Sequence, residues 1–320
     1  LQYPLVFLGT SPYKAPAVYS LMNHIDFEMG VFYPMGGMTK VFESLFRIAE
    51  KNGVKFLFNT PVNKILVENK KVIGVSTTKA KLMADIVVSN ADYQFTEMQL
   101  LDKKYRQFGE KYWRSRTMAP SGFILYLGIK KQFKELVHHN LFFTEQWKES
   151  FEVIFKGQKL PQSPSYYICA PSKTDPSVAP KGCENLFVLV PTATNLTLDK
   201  KTIKNYRDKI INHITATMDT EGLEENIVYE RIFTGRDFSS LYNAYKGSAL
   251  GLAQNLTQTA VFRPKTQSTK LKNLYYSGAN TNPGTGVPMC LISSQIVYKR
   301  IHGITHGRPL SHEDTKFENA

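Results

Sequence analysis

Apolar residues in the first part of the chain follow a helical period and then form a short continuous run. Between Met38 and Gly53 they recur every third or fourth position, which predicts an amphipathic helix closed by the Asn52–Gly53 pair. The run VKFLFN at 54–59 comes directly after it and predicts a strand. This order is typical of a helix that packs along a sheet.

The following segment alternates apolar and polar positions. Residues 62–68 and 71–77 carry this alternation on either side of Asn69–Lys70, which predicts a hairpin. The run ADIVVSNAD at 84–92 predicts a further strand.

Residues 93–265 have a different texture, in which strand-like runs are separated by long polar stretches. The runs are SGFILYLGI (121–129), SYYICA (165–170), NLFVLV (185–190) and NIVYERIF (226–233). Residues 199–218 place one apolar stripe opposite a lysine-rich face, which favours a helix packed on a sheet over one inserted in a membrane. We expect a mixed, mostly antiparallel sheet with covering helices.

A loop with few side chains lies near the carboxyl end, between the predicted strand 273–279 and a predicted helix. Gly278, Gly284 and Gly286 leave backbone open to a flat ligand, and Pro288 suits the first turn of the helix. The free N–H groups of a helix start favour negative charge. A tight turn without a ligand has the same local pattern, so both interpretations stay open.

The charge and the apolar runs of the chain bear on whether it binds nucleic acid or a membrane. The 40 Lys and Arg residues outnumber the 27 Asp and Glu residues, giving a net charge of +13. Because the basic residues are scattered and no nucleic-acid motif accompanies them, they favour a solvated basic surface over a nucleic-acid groove, and attraction to anionic lipid headgroups is a further interpretation. No apolar run reaches the roughly 18 to 20 residues of a spanning helix, so we expect peripheral contact.

Metal and nucleophile chemistry find little support in the sequence. The three cysteines are far apart, and His138 and His139 are adjacent, so a regular element would direct their rings apart. We therefore predict no metal site. The chain has no G-x-S-x-G, no Walker motif and no G-x-G-x-x-G. It also opens on Leu1, which favours a processed or partial chain.

Four blocks in register resemble the bacterial-type phytoene desaturases, within the carotenoid desaturase group of FAD-dependent amine-oxidase-like flavoproteins. They are residues 11–38 (SPYKAPAVYSLMNHIDFEMGVFYPMGGM), 84–92, 243–264 (NAYKGSALGLAQNLTQTAVFRP) and 273–297 (NLYYSGANTNPGTGVPMCLISSQIV). The resemblance implies an α/β (α+β) fold, with a partial FAD/NAD(P)-binding-type domain beside a substrate domain on a mixed, mostly antiparallel sheet. The family's amino-terminal G-x-G-x-x-G unit has no counterpart here, so the chain resembles a carboxyl-terminal portion.

The resemblance also divides the chain and implies its cofactor residues. Residues 31–92 and 266–305 correspond to parts of a split FAD-binding domain, 1–30 and 93–265 to the substrate-binding domain, and 306–320 to a polar tail. The residues that match cofactor-binding positions are Gly36, Gly37, Val62, Gly278, Ala279, Asn280, Gly286, Val287 and Pro288. The family often has histidine where this chain has Asn282, and no catalytic residue is identified.

The implied activity is desaturation of a C40 carotene precursor, phytoene towards lycopene, with hydride passed from an allylic carbon to flavin N5. The implied cofactor is FAD, and the implied partners are a long-chain polyene and a membrane surface that a cytoplasmic protein would meet peripherally. Residues 6–22 would line the lipid-facing entrance or form a buried connector.

Other functions remain open. A diapocarotene desaturase or oxygenase, or a polyene isomerase, would have a similar sequence. Rab GDP-dissociation inhibitors share the general fold and bind isoprenoids without redox chemistry, although the GANTNPGTGVP loop argues against them. The chain alone could also be inactive, since without the phosphate-binding half we expect weak FAD binding and an uncovered apolar face.

Overall fold

The structure is a computed structural model that describes residue 6 and residues 9–315. Its α-helices are α1 (Leu21–His24), α2 (Thr39–Lys51), α3 (Tyr93–Phe95), α4 (Glu110–Ser115), α5 (Trp147–Lys156), α6 (Lys200–Thr217), α7 (Gly235–Tyr242) and α8 (Val287–Ile301). Its strands are β1 (Val62–Glu68), β2 (Lys71–Thr77), β3 (Lys81–Met83), β4 (Val87–Ser89), β5 (Ser121–Ile129), β6 (His139–Phe142), β7 (Tyr166–Cys169), β8 (Glu184–Thr192), β9 (Ile227–Phe233) and β10 (Leu274–Tyr276). Among these residues, no helix is both long and apolar enough to cross a bilayer.

The largest sheet is antiparallel, with the strand order β6-β7-β8-β5-β9. Four of its strands are those predicted between residues 93 and 265, and β6 is the strand that the sequence pattern did not indicate. Helix α6 packs Tyr206, Ile210 and Ile214 into the core formed with this sheet. The prediction that its apolar stripe serves ordinary packing is therefore confirmed.

The predicted hairpin is confirmed as β1 and β2. Asn69 and Lys70 both have positive φ, 48° and 59°, the backbone conformation of a two-residue turn between antiparallel strands. Strand β3 pairs with β2 and completes a three-stranded sheet.

Strands β4 and β10 form a parallel pair. Strand β4 is shorter than the predicted run 84–92, and β10 lies within the predicted strand 273–279. Asn273 connects this pair to the hairpin, since its side-chain amide donates to the Val72 carbonyl at 2.8 Å and its Oδ1 accepts from the Val72 N–H. A second core, containing Tyr93, Trp113 and Tyr276, packs beneath these elements.

The predicted strand at 54–59 is wrong, because residues 54–61 form no strand in the structure. A strand needs a partner to satisfy its backbone hydrogen bonds, and the described residues place none beside this segment. Its side chains are open to solvent; Phe58, for example, is 68% exposed.

Helix α2 forms as predicted but buries none of its residues. Phe42, Leu45 and Ile48 are all exposed on its surface, and the Phe46 ring lies 4.3 Å from the ring of Phe56. We call the exposed apolar surface formed by α2 and residues 54–58 the open apolar face. Such a contiguous apolar surface is typical of a region that another polypeptide segment covers.

The division of the chain into domains stays a prediction. Residues 1–5 and 7–8 of the predicted substrate-binding segment lie outside the described residues, as do residues 316–320 of the predicted tail. Within the described part of that tail, Asp314 accepts hydrogen bonds from His306 and Ser311.

Candidate functional site

The carboxyl ends of β4 and β10 bring two distant loops together. The Ser277 N–H donates to the Ser89 carbonyl at 3.0 Å, and the Asn90 side chain donates to the Ser277 carbonyl at the same distance. Ligands of open α/β sheets bind beyond the carboxyl ends of parallel strands. This edge of the parallel pair is therefore the candidate binding site.

Asp92 and Asn280 join the two loops. One oxygen of Asp92 accepts from the Phe95 N–H at 3.0 Å and caps α3, while the other accepts from the Asn280 amide at 3.2 Å. Asn280 in turn accepts from the Leu252 N–H at 2.8 Å. Burial raises the pKa of the Asp92 carboxyl above its ordinary value, although the hydrogen bonds that this carboxyl accepts from Phe95 and Asn280 act in the opposite direction.

Hydroxyl groups hold the loop against helix α8. The Gly278 N–H donates to Ser293 Oγ at 3.1 Å, and Thr281 Oγ1 lies 2.9 Å from the same oxygen. Ser293 and Thr281 are both buried, so this contact fixes the turn on the helix that follows it.

The three loop glycines serve different purposes. A Cβ on Gly284 would lie 1.9 Å from Gln254 Nε2, and one on Gly278 would lie 2.9 Å from Asn90 Nδ2, so protein side chains occupy the space that these glycines leave. On Gly286 the nearest atom would be Met289 Cγ at 3.7 Å, an ordinary contact. Only Gly286 of the three therefore offers backbone to an external ligand.

The start of α8 is the part of the loop that fits a flat, electron-rich group. No described side chain caps it, and Pro288 occupies its first turn. Val287 is 41% exposed and Leu291 is 45% exposed beside it. An uncapped helix start offers N–H groups to a negative oxygen, and the adjacent apolar side chains suit a ring.

The other predicted cofactor residues lie on separate elements. Val62 begins β1 and packs against the core that contains Leu274 and Tyr276. Ala279 and Asn280 follow β10 within the loop. Because the Val62 side chain packs against this core, its backbone is the part that could contact a cofactor, and its assignment to the cofactor stays a prediction.

The Gly36–Gly37 turn is held by a carboxylate. The Gly36 N–H donates to Asp175 Oδ2 at 2.5 Å, and the Tyr33 hydroxyl donates to the same oxygen at 3.4 Å. A hydrogen bond from Ser177, and then the one from Gly36, lowers the pKa of Asp175. The Gly36 N–H is thus engaged within the protein, and the assignment of this pair to a cofactor stays a prediction.

The adjacent histidines do not point apart as expected. The ring centroids of His138 and His139 are 4.2 Å apart, and their ligand atoms lie within 4.8 Å of each other and of Cys169. The rings leave regular alternation because His138 precedes β6 whereas His139 begins it. Their Nδ1 atoms hydrogen-bond to the hydroxyls of Thr174 and Tyr167. The absence of a metal site stays a prediction.

A cavity of about 260 Å³ lies between residues 9–14, helix α5 and residues 253–255. Phe151 and Phe155 line it together with Lys14, Lys148 and Lys156. Part of the segment expected to form an entrance or a connector therefore lines a cavity.

Sequence reasoning missed three residues that hydrogen-bond to the loop: Asp92 to Asn280, Gln254 to Pro283 and Arg263 to Thr281. All three lie within the blocks that carry the family resemblance, and this was the available signal. Their roles depend on contacts with residues far along the chain, which no local pattern reveals.

The chain is similar to carotenoid enzymes over most of its length. It is 42% identical over 295 residues to the carotenoid 3,4-desaturase of Haloarcula japonica and 37% identical over 315 residues to the zeta-carotene-forming phytoene desaturase of Myxococcus xanthus. These alignments cover 92% and 97% of the chain but only 59% and 60% of the relatives. The chain thus spans about three fifths of the length of these proteins.

A solved structure supports the fold of the chain, and a family model identifies its family. An oxidoreductase from Methanosarcina mazei superposes with a TM-score of 0.59 at 15% identity, over 93% of this chain and 65% of that one, which supports the fold. The family described as flavin containing amine oxidoreductase matches residues 4–301. With nearly its whole length matched, the chain belongs to the flavin-containing amine oxidoreductase family.

Proposed function

We propose that this chain is part of an FAD-dependent desaturase that acts on a C40 carotene precursor, converting phytoene towards lycopene. The observation that carries the proposal is the open start of α8, at the carboxyl ends of the parallel strands, in a chain 42% identical to a carotenoid 3,4-desaturase. Family membership supports a flavin, and the choice of FAD is part of the proposal.

The described residues supply binding and orientation. When bound, FAD would supply the chemistry: it would accept a hydride from an allylic carbon, a base would take a proton from the neighbouring carbon, and a double bond would form between the two. The N–H groups at the start of α8 favour negative charge on the adjoining ring system. Asp92 and Asn280 hold the loop that leads into the helix, so that these donors keep their direction.

Apolar side chains of α8 would exclude water from the reacting carbons once a polyene lay against them. Val287, Leu291 and Ile292 are exposed along the first turns of the helix, where a polyene could lie against them. Hydride transfer requires close positioning and a dry environment more than a metal or a nucleophile.

We also propose that the protein is cytoplasmic and meets a membrane surface peripherally. The net charge of +13 favours anionic headgroups, and three lysines surround the cavity lined by Phe151 and Phe155. A polyene substrate dissolves in lipid, so an enzyme that binds it gains from contact with the bilayer.

A second candidate within the same chemistry is oxidation of a diapocarotenoid. The chain is 31% identical to the 4,4'-diapolycopene oxygenase of Methylomonas sp over 308 residues. The length of the bound polyene distinguishes the two functions.

The test uses a chimera in which the part of the Haloarcula japonica protein without a counterpart here is joined to this chain. The chimera is purified, titrated with FAD and incubated with phytoene or diapolycopene in liposomes, and the products are separated by chromatography. We expect FAD binding and new conjugated carotenes from phytoene. A chimera that binds FAD but leaves phytoene unchanged contradicts the desaturase proposal.

Matched glycine variants make the test specific to this chain. Gly286→Leu places a side chain on the open backbone and should abolish FAD binding. Gly303→Leu introduces a side chain at a positive φ of 68° with open space around it, at the end of α8. Equal loss of FAD binding in both variants would contradict a cofactor site at the helix start.

A further inference from the structure

Arg263 is buried without an acidic partner directly beneath the loop of the candidate site. It is 2% exposed, and no described carboxylate lies within ion-pair distance of it. Arg207 shows the usual arrangement, because its guanidinium pairs with Glu224 at 2.5 Å and Glu230 at 2.7 Å. An uncompensated buried charge is costly, so the position of Arg263 requires a physical reason.

Every N–H group of the Arg263 guanidinium is used. Nε donates to the Thr281 carbonyl at 2.9 Å, and Nη2 donates to the carbonyls of Ala279 and Leu252 at 2.5 and 3.0 Å. Nη1 donates to the Gln258 carbonyl at 3.0 Å and to Gln254 Oε1 at 3.2 Å. Five donors thus meet five neutral oxygens, which is the full capacity of an arginine side chain.

These bonds connect the candidate site to the segment behind it. Ala279 and Thr281 belong to the loop between β10 and α8, whereas Leu252, Gln254 and Gln258 belong to the irregular segment 252–258, which contacts that loop. A lysine has three donors and no planar fork, so it could not hold all five oxygens. The geometry therefore requires arginine specifically.

The two buried arginines also differ in their proton affinity. Burial lowers the pKa of Arg263 to about 10, so the group remains charged near neutral pH. Burial acts in the same direction at Arg207, but the hydrogen bonds that Arg207 donates to Glu224 and Glu230 raise its pKa overall. The charge of Arg263 is thus met by neutral oxygens only, whereas that of Arg207 is paired with two carboxylates.

We propose that Arg263 is a positioning residue that fixes the 278–281 turn and whose uncompensated charge favours negative charge on a flavin ring bound at the start of α8. This inference rests on the proposed function for the identity of the ligand. The hydrogen-bonding part depends only on the described contacts. The two parts can therefore be tested separately.

The first test measures the order of the loop in the 320-residue chain without ligand. Cys290 lies in the first turn of α8 and is half-buried, while Cys169 and Cys183 lie elsewhere and act as internal references. In Arg263→Lys and Arg263→Met we expect alkylation of Cys290 to accelerate about tenfold, with unchanged rates at the other two cysteines. Arg231→Met, at an exposed arginine, is the control.

Two outcomes overturn the positioning role. Unchanged Cys290 labelling in both variants means that Arg263 does not hold the turn. Equal acceleration at all three cysteines means that Arg263 supports the whole fold rather than the site.

The second test measures the affinities of oxidised and reduced FAD for the chimera described above. Arg263→Met should lower the affinity for reduced FAD, relative to oxidised FAD, by about tenfold, and Arg263→Lys should lower it less because it keeps the charge. If the ratio of the affinity for reduced FAD to that for oxidised FAD is the same in the wild type and both variants, the electrostatic role is overturned. A wild-type chimera that binds no FAD contradicts the proposed function and the ligand assignment, while the cysteine labelling still decides whether Arg263 holds the turn.

Discussion

The side-chain amide of Asn280 donates to a carboxylate oxygen of Asp92 at 3.2 Å, although the two residues are 188 positions apart. Asp92 follows β4 and Asn280 follows β10, so this bond closes the edge of the parallel pair. The same Asn280 accepts from the Leu252 backbone. A single pair of side chains therefore sets the relation of three chain segments around the candidate site.

Exchanging these two side chains should preserve their bond. Asp92→Asn places two amide donors face to face, and Asn280→Asp places two carboxylates together, so each should lower the free energy of unfolding by about 1–3 kcal/mol. In the double variant an amide at 92 can donate to a carboxylate at 280, which can still accept from Leu252. We expect the double variant to recover more than half of the free energy of unfolding that the single variants lose, measured by urea denaturation.

Additive losses in the double variant would show that the two side chains act independently. Asn280→Ala serves as the reference because it removes both bonds without adding a charge or a competing donor.

The pH dependence of stability should reveal the Asp92 carboxyl. Because burial raises its pKa in the native protein, the native state takes up this proton before the unfolded chain does. Its contribution to stability is therefore complete below the ordinary aspartate pKa of about 3.9 and is lost as the pH rises through the raised value. We expect the stability difference between the wild type and Asp92→Asn to shrink as the pH rises across that window. A difference that does not change with pH, measured by denaturant titration, would refute this.

Local sequence patterns were sufficient to predict an element where its hydrogen bonds join residues close together in the chain. The hairpin was predictable because Asn69 and Lys70 form its turn and the adjoining strands pair with each other. Residues 54–59 have an equally strong apolar pattern but form no strand, because a strand depends on a partner that periodicity does not reveal. Helix α2 formed as predicted, since its backbone hydrogen bonds are internal.

The loop glycines should respond differently to alanine. Gly284→Ala forces a Cβ against Gln254 and should destabilise the protein by about 2–4 kcal/mol, whereas Gly286→Ala meets only an ordinary contact and should cost about 1 kcal/mol from its positive φ. Thermal unfolding of both variants measures the difference. Equal melting temperatures would mean that the Gln254 side chain moves aside freely.

The open apolar face should tolerate polar substitutions. Since Phe42 and Ile48 are 52% and 58% exposed, Phe42→Gln and Ile48→Gln should leave the free energy of unfolding within about 0.5 kcal/mol of the wild type. They should also reduce self-association, measured by analytical ultracentrifugation. The buried control Ile210→Ala should cost about 2–5 kcal/mol. A large loss at Phe42 or Ile48 would mean that this surface is covered within the chain itself.

The candidate site was predictable from sequence only as a location. The loop at 278–288 and the helix after it were evident from glycine, proline and apolar spacing. The distinction between Gly284, which admits Gln254, and Gly286, which is open, arises from a residue 30 positions away. The role of Arg263 could not be predicted either, because its five oxygen partners come together only in the folded chain.

The bond between Asp92 and Asn280 also has a consequence for the order of folding. During synthesis, the hairpin β1–β2 can form as soon as its own residues have left the ribosome, because its contacts are local. Strand β4 must wait for β10, and Asp92 for Asn280, until residue 280 has been translated. The edge that carries the candidate site therefore assembles after the hairpin and the antiparallel sheet, and a chain interrupted before residue 280 would lack it however well that sheet had folded.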